Sequence, residues 1–112
     1  MTKASFEVRF TEDSARDLNE IVDYISANGS VDDALRVADA IEHRIDSLDR
    51  FPERGSILQE LQGASHREYR QLLCSPYRII YFVDALTVEI FMIVDGRRDF
   101  QSIVSPRMTS ST

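Results

Sequence analysis

The sequence predicts an α+β fold in which an N-terminal strand and an α-helical hairpin pack on a largely antiparallel, three- to four-stranded sheet, followed by a short C-terminal segment. Three observations predict it. Phe6, Val8 and Phe10 alternate with Glu7 and Arg9, which is the period of a half-buried strand. Two apolar stripes at spacings of three and four follow, and each needs a surface to bury against. Three apolar runs with very short connections complete the pattern, and such connections imply antiparallel neighbours.

Thr11 suits a helix N-cap, with Glu12 and Asp13 in the first turn where the helix dipole favours negative charge. The first helix therefore starts at about residue 12, carries Ala15, Leu18, Ile21, Val22 and Ile25 on one face, and ends at Ala27-Asn28-Gly29. Ser30 followed by Asp33 resembles a capping box, and Ala34, Val37, Ala38, Ile41, Ile45 and Leu48 form the second stripe. That helix stops near Arg50, because Pro52 disfavours helical geometry at Phe51. Phe51 to Gly55 reads as a turn, and residues 56–66 as a loop with at most one short helical turn. The strands span about Tyr69 to Cys74, Tyr77 to Val83 and Val88 to Val94. Residues 1–104 are expected to form a single domain, and 105–112 a flexible C-terminal tail.

If both strand connections are tight, Leu72, Cys74, Tyr77, Ile79, Tyr81, Val83, Val88, Ile90, Met92 and Val94 share one sheet face, the seat for the helical hairpin. The opposite face carries Tyr69, Gln71, Leu73, Arg78, Ile80, Phe82, Glu89, Phe91 and Ile93, and a one-residue slip would exchange the two. Both faces are too apolar to be simply solvated. The second cover is either the chain's own segment from Phe100 to Val104 or a partner protein.

Composition narrows the function. A hydrophobic fraction of 43% and a charged fraction of 29% are those of a packed globular protein. No stretch approaches the roughly 20 apolar residues of a membrane span, so the expected location is cytoplasmic, with no membrane partner. Cys74 is the single cysteine, and His43 and His66 are too few for a zinc cluster, so no metal site and no cofactor are expected. The net charge of −6 lies entirely in residues 1–50, with 6 basic and 12 acidic side chains, against 7 of each in residues 51–112. An acidic chain is poorly suited to gripping naked nucleic acid. Every basic residue after position 50 is arginine, whose rigid fork suits defined polar contacts better than diffuse attraction.

An ordered set of residues spans nearly the whole chain: Asp17-Leu18 with Ile21, Asp23-Tyr24-Ile25, Ala34, Phe51-Pro52 with Gly55, Tyr69-Arg70, Tyr77 to Tyr81, and Ile93 to Asp99. With the order strand, helical hairpin and meander, this set resembles the RelE/ParE toxin superfamily of type II toxin-antitoxin systems, closer to ParE than to RelE. The resemblance implies a toxin that causes growth arrest, stabilises a plasmid or chromosome, and is neutralised by a cognate antitoxin that wraps it in a hetero-oligomer. It makes the apolar second face the expected antitoxin seat, with Tyr69, Leu73, Ile80, Phe82, Phe91 and Ile93 as candidates.

Two activities occur among such proteins: RelE-like members cleave messenger RNA on the ribosome, and ParE-like members poison DNA gyrase. RNA cleavage needs positioned cations and acid–base groups. By resemblance Arg78 and Arg98 match the two nuclease arginines, and Arg70 stands at one strand-lysine position. The other lysine falls on Leu72 or Gln71, and the C-terminal tyrosine falls near Val104, with no Tyr or His after Tyr81. A ParE-like gyrase inhibitor therefore fits better than a ribosome-dependent endoribonuclease, with Arg78, Arg97 and Arg98 as target-binding candidates and no catalytic residue assigned. A non-toxic binding module of the same fold is the remaining alternative.

Each residue also has a plainer reading. Arg78 is a strand arginine paired with Glu89, Arg97-Arg98-Asp99 a solvated turn, Tyr69, Tyr77 and Tyr81 sheet residues, and Cys74 a small buried hydrophobe.

Overall fold

A computed structural model describes residues 5–63 and 67–110, so His66 lies outside the described residues. The N-terminal strand β1 (Glu7–Phe10) leads into α1 (Glu12–Asn28), which starts as its capping residues dictate. Thr11 Oγ1 accepts the Ser14 N–H at 3.1 Å and donates to the Ile90 carbonyl at 3.1 Å, so one hydroxyl both caps the helix and ties it to the sheet. The helix α2 (Val31–Asp46) is capped in the same way by Ser30 Oγ on the Asp33 N–H, and a 3₁₀ turn, Ser47–Asp49, brings the chain to the proline. The strands β2 (Ser56–Ile57), β3 (Tyr69–Cys74), β4 (Tyr77–Asp84) and β5 (Thr87–Asp95) follow, and α3 (Phe100–Ser110) is the last element among the described residues.

The sheet has five strands in the order β1-β5-β4-β3-β2, one more than the expected maximum of four. β1 pairs parallel to β5, and the other pairings are antiparallel. The extra strand is the two-residue β2 inside the segment read as a loop, too short to show an alternating pattern.

Register explains a second departure. Ile80 pairs with Met92 but Tyr81 pairs with Ile90, so Phe91 is the extra residue of a β-bulge. Before the bulge the expected faces hold. Beyond it they exchange: Ile93 joins the helical-hairpin core with Ile79 and Tyr81, whereas Met92 and Val94 join Phe91 on the other face. Strict alternation could not anticipate this, because a single inserted residue inverts everything after it.

The hairpin core gathers Ile41, Ile45 and Leu48 over Leu72, Ile79, Tyr81, Val88 and Ile90. The opposite core sets Phe100 and Val104 of α3, with Leu58 and Leu61, on Tyr69, Ile80, Phe82, Phe91 and Met92. Each such side chain contributes about 1.5–3 kcal/mol when buried, so either cover supplies several such terms. The second face is thus covered by the chain itself. Over residues 105–110, part of the expected tail, the chain is helical: α3 continues through Ser105, Pro106 and Arg107 to Ser110. Pro106 removes one helical hydrogen bond, and the helix persists because side chains on both sides of it are anchored.

The anchor beyond Pro106 is polar. Asp17 of α1 accepts the Ile93 N–H at 3.0 Å, and its two carboxylate oxygens receive Arg107 Nη1 and Nη2 at 3.0 and 2.9 Å. Arg107 also donates to the Phe91 carbonyl at 3.1 Å. β1 ends opposite Ile90, so this partly buried ion pair takes over where the neighbouring strand stops, satisfying β5 backbone groups at the bulge.

A third tie holds the loop before β2. Tyr81 is fully buried, its hydroxyl donating to the Pro52 carbonyl at 2.8 Å and accepting the Gly55 N–H at 2.9 Å. Burial pushes the phenol above its ordinary pKa, with the Gly55 N–H opposing, so the neutral hydroxyl that both donates and accepts is the form present at neutral pH. A Cβ at Gly55 would sit 2.6 Å from that hydroxyl and 2.7 Å from the Gln71 carbonyl. Tyr81→Phe is expected to lower stability by about 1–3 kcal/mol in urea denaturation, because it takes the partner from the buried Gly55 N–H and from the partly buried Pro52 carbonyl. Gly55→Ala should also destabilise, through the steric conflict. Unchanged denaturation midpoints for both variants would contradict this role.

Candidate functional site

The arginines singled out from the sequence do not converge. Strand alternation sends Arg70 and Arg78 to opposite faces of the sheet, since Arg70 pairs across from Tyr81 and Arg78 from Leu73. Arg70 Nη1 donates to the Gly55 and Glu53 carbonyls at 2.8 and 3.2 Å, and Nη2 meets Glu68 at 3.2 Å. It holds the same loop that Tyr81 holds.

Arg78 is enclosed by its own chain. Its Nε donates to Gln71 Oε1 at 2.9 Å, its Nη2 donates to Glu60 Oε1 at 2.6 Å, and its guanidinium carbon stacks 4.1 Å from the centre of the Phe100 ring. Only 15% of the side chain is exposed. The sequence reading paired it with Glu89, but Glu89 approaches Arg9 at 3.8 Å, and Arg78 is held by Glu60 instead. Glu60 lies in the 3₁₀ turn Gln59–Leu61, the one short helical turn that the reading of residues 56–66 allowed. Val104, the position matched to a nuclease tyrosine, is a residue of α3 buried in the core between that helix and the sheet.

The antitoxin candidates are redistributed. Tyr69, Ile80, Phe82 and Phe91 lie beneath α3, and Tyr69 packs edge-on to Phe82 at 5.5 Å. Ile93 lies on the hairpin side because of the bulge. Leu73 alone of the six is exposed, at 58%, with its carbonyl accepting Arg44 Nη1 at 2.9 Å.

Arg97 and Arg98 do line a groove, of about 630 Å³, between α1 and the end of β5. Ile21, Ile25 and Ile93 supply apolar surface there, and Tyr24 projects beside it, 68% exposed. The half-buried stripe of α1 is the sequence signal for this groove, because that stripe is not fully covered by the sheet. Arg97 folds back on Asp95, with Nε and Nη2 at 2.9 and 2.6 Å and its backbone N–H on the same carboxylate at 2.9 Å. These bonds hold the Asp95 carboxyl down at about 2, and they raise the Arg97 guanidinium further. Tyr77, which also lines the groove, is raised by burial and then by the Asp95 charge.

Among the described residues, no group of three or more His, Cys, Asp or Glu side chains is arranged to hold a metal ion, and no helix is long and apolar enough to cross a membrane. Cys74 is half-buried at the end of β3, and His43 is exposed on α2.

An N-terminal strand, a helical hairpin on one face of a five-stranded sheet and a short C-terminal helix on the other make up a fold of the RelE/ParE toxin superfamily. Within it, the sequence model for the ParE toxin of the type II toxin-antitoxin system parDE matches residues 8–100, and this chain belongs to that family. Among solved structures, a chain from the chromosomal ParDE toxin-antitoxin system of P. aeruginosa aligns with a TM-score of 0.66 at 17% identity, covering 82% of this chain and 97% of that one. A chain from the RelBE2 toxin-antitoxin complex of Mycobacterium tuberculosis aligns with a TM-score of 0.58 at 23% identity, covering 81% and 98%. At these identities the likeness is one of fold. No curated protein sequence matches the chain.

The depressed Asp95 carboxyl gives a pH test of the turn. A lowered folded-state pKa contributes stability above the unfolded pKa, and that contribution is lost as pH falls through the folded value. An NMR titration of the Asp95 carboxyl carbon should find a midpoint near 2 in the native chain and a higher one in Arg97→Ala. A midpoint that Arg97→Ala leaves in place would show that the pair does not form in solution.

Proposed function

We propose that this ParE-family chain is the toxin of a type II toxin-antitoxin pair that inhibits DNA gyrase in the cytoplasm and is neutralised by a cognate antitoxin in a hetero-oligomer. The observation that carries the choice of target is the enclosure of Arg78 by Gln71, Glu60 and Phe100. A ribonuclease needs cations free to meet the scissile phosphate and an acid to protonate the leaving oxygen. Here the strand arginine is engaged within the fold, Arg70 lies on the other sheet face, and a buried valine stands at the acid's place. The net charge of −6 also disfavours tight RNA contact. Membership of the ParE toxin family supports the gyrase-directed reading, and both solved relatives come from toxin-antitoxin systems.

Induction of the chain without its antitoxin should arrest growth. The purified protein should block supercoiling by gyrase and leave ribosome-bound messenger RNA intact. Cleavage of that RNA, lost on Arg78→Ala, would establish the ribonuclease reading instead, and absence of growth arrest would establish a non-toxic binding module.

A further inference from the structure

Phe51 belongs to an apolar pair, Phe51-Pro52, yet it is 54% exposed. The exposure is imposed by a loop whose backbone is tied at every residue from Phe51 to Gly55. Phe51 donates its N–H to the Ser47 carbonyl at 3.0 Å and accepts the Arg54 N–H at 3.1 Å. The Pro52 carbonyl and Gly55 N–H meet the Tyr81 hydroxyl, and the Glu53 and Gly55 carbonyls meet Arg70. Arg54 Nη1 adds a bond to Ser47 Oγ at 2.7 Å. An aromatic held outward by a pinned loop loses little conformational freedom on binding, which is the condition for an efficient contact.

The surroundings indicate what it contacts. Phe6, Phe51 and Pro52 wall a groove of about 710 Å³ whose remaining lining is Arg50, Glu53 and Arg54. Two exposed guanidiniums against one carboxylate give a locally positive rim on a chain of net charge −6. A neighbouring cleft shares Phe6, Pro52 and Glu53 and extends the apolar surface to Val83, which is partly exposed. Aromatic and arginine side chains dominate the energetics of protein interfaces, and opposite charge at the rim selects the partner.

We propose that this Phe51 groove is the surface through which the chain grips its protein target, and that it takes an acidic segment presenting an apolar side chain. The apolar group enters between Phe6 and Phe51, and carboxylates of the segment meet Arg50 and Arg54. A protein is favoured over nucleic acid because two arginines on an acidic molecule are few for binding a phosphate backbone. The proposal rests on the gyrase-directed reading and places the contact away from Arg97 and Arg98, the target candidates that the sequence suggested.

The test uses the full-length chain and gyrase holoenzyme, with supercoiling inhibition and DNA-free binding both measured. Phe51→Ser and Arg50→Glu should each weaken inhibition by about thirtyfold or more, the range of an interface hot spot, while Leu35→Ser, an exposed change on α2, leaves it unchanged. Thermal unfolding reports whether each variant keeps its fold, and Arg50→Lys should restore part of what Arg50→Glu loses. If the native chain inhibits gyrase and both groove variants inhibit equally well, the groove proposal is wrong while the gyrase reading stands. If the native chain does not inhibit gyrase at all, the functional reading itself fails and takes the groove with it. Loss of binding to DNA alone in Phe51→Ser, with gyrase binding intact, would reassign the groove to nucleic acid and overturn the proposal.

Discussion

The rest of the structure depends on a single sheet that is apolar on both faces. Such a sheet cannot stand with one side in water, so the chain must fold over it twice. The helical hairpin closes one face through Ile41, Ile45 and Leu48, and the 58–61 turn with α3 closes the other through Leu58, Leu61, Phe100 and Val104. The bulge at Phe91 makes the two covers compatible. It turns Ile93 toward the hairpin and Met92 and Val94 toward α3, so β5 supplies apolar side chains to both faces.

The polar contacts follow from that arrangement. Where β1 ends, the Asp17–Arg107 pair links α1 and α3 and satisfies β5 backbone groups that no strand reaches. Where the chain crosses from the hairpin to β2, Tyr81 and Arg70 fix the Phe51 to Gly55 loop. Arg78 is enclosed because it projects from the face that α3 must cover, and Phe100 reaches it with the same ring that seals the core edge. Its enclosure is a consequence of packing, and it leaves Phe51, Arg50 and Arg54 as an outward, aromatic and cationic feature.

Much of this was legible in the residues themselves. Thr11 and Ser30 announced both helix starts, the stripes through Leu18 and Ile41 gave the hairpin, and the runs Tyr69 to Cys74, Tyr77 to Val83 and Val88 to Val94 gave three strands to within a residue or so. Local pattern could not show the bulge, because its energetic cause is the meeting of β5 with β4 and α3. Nor could it show β2, whose two residues carry no period. Ser105-Pro106 argued against a helix, yet Phe100, Val104 and Met108 recur every four residues, the one signal that could have revealed α3. The partners of Arg78 lie 7, 18 and 22 positions away in sequence, and only the fold brings Gln71, Glu60 and Phe100 together.

The central claim is that the chain supplies its own cover for the second face of the sheet. Hydrogen exchange of the α3 amides in the purified chain, without any partner, tests it most directly. Slow exchange at Ile103, Val104 and Met108, comparable with that of β4, is the expected result. Exchange at unfolded-chain rates there would mean that the face is open in solution, with Arg78 uncovered and the apolar surface left for a partner to close.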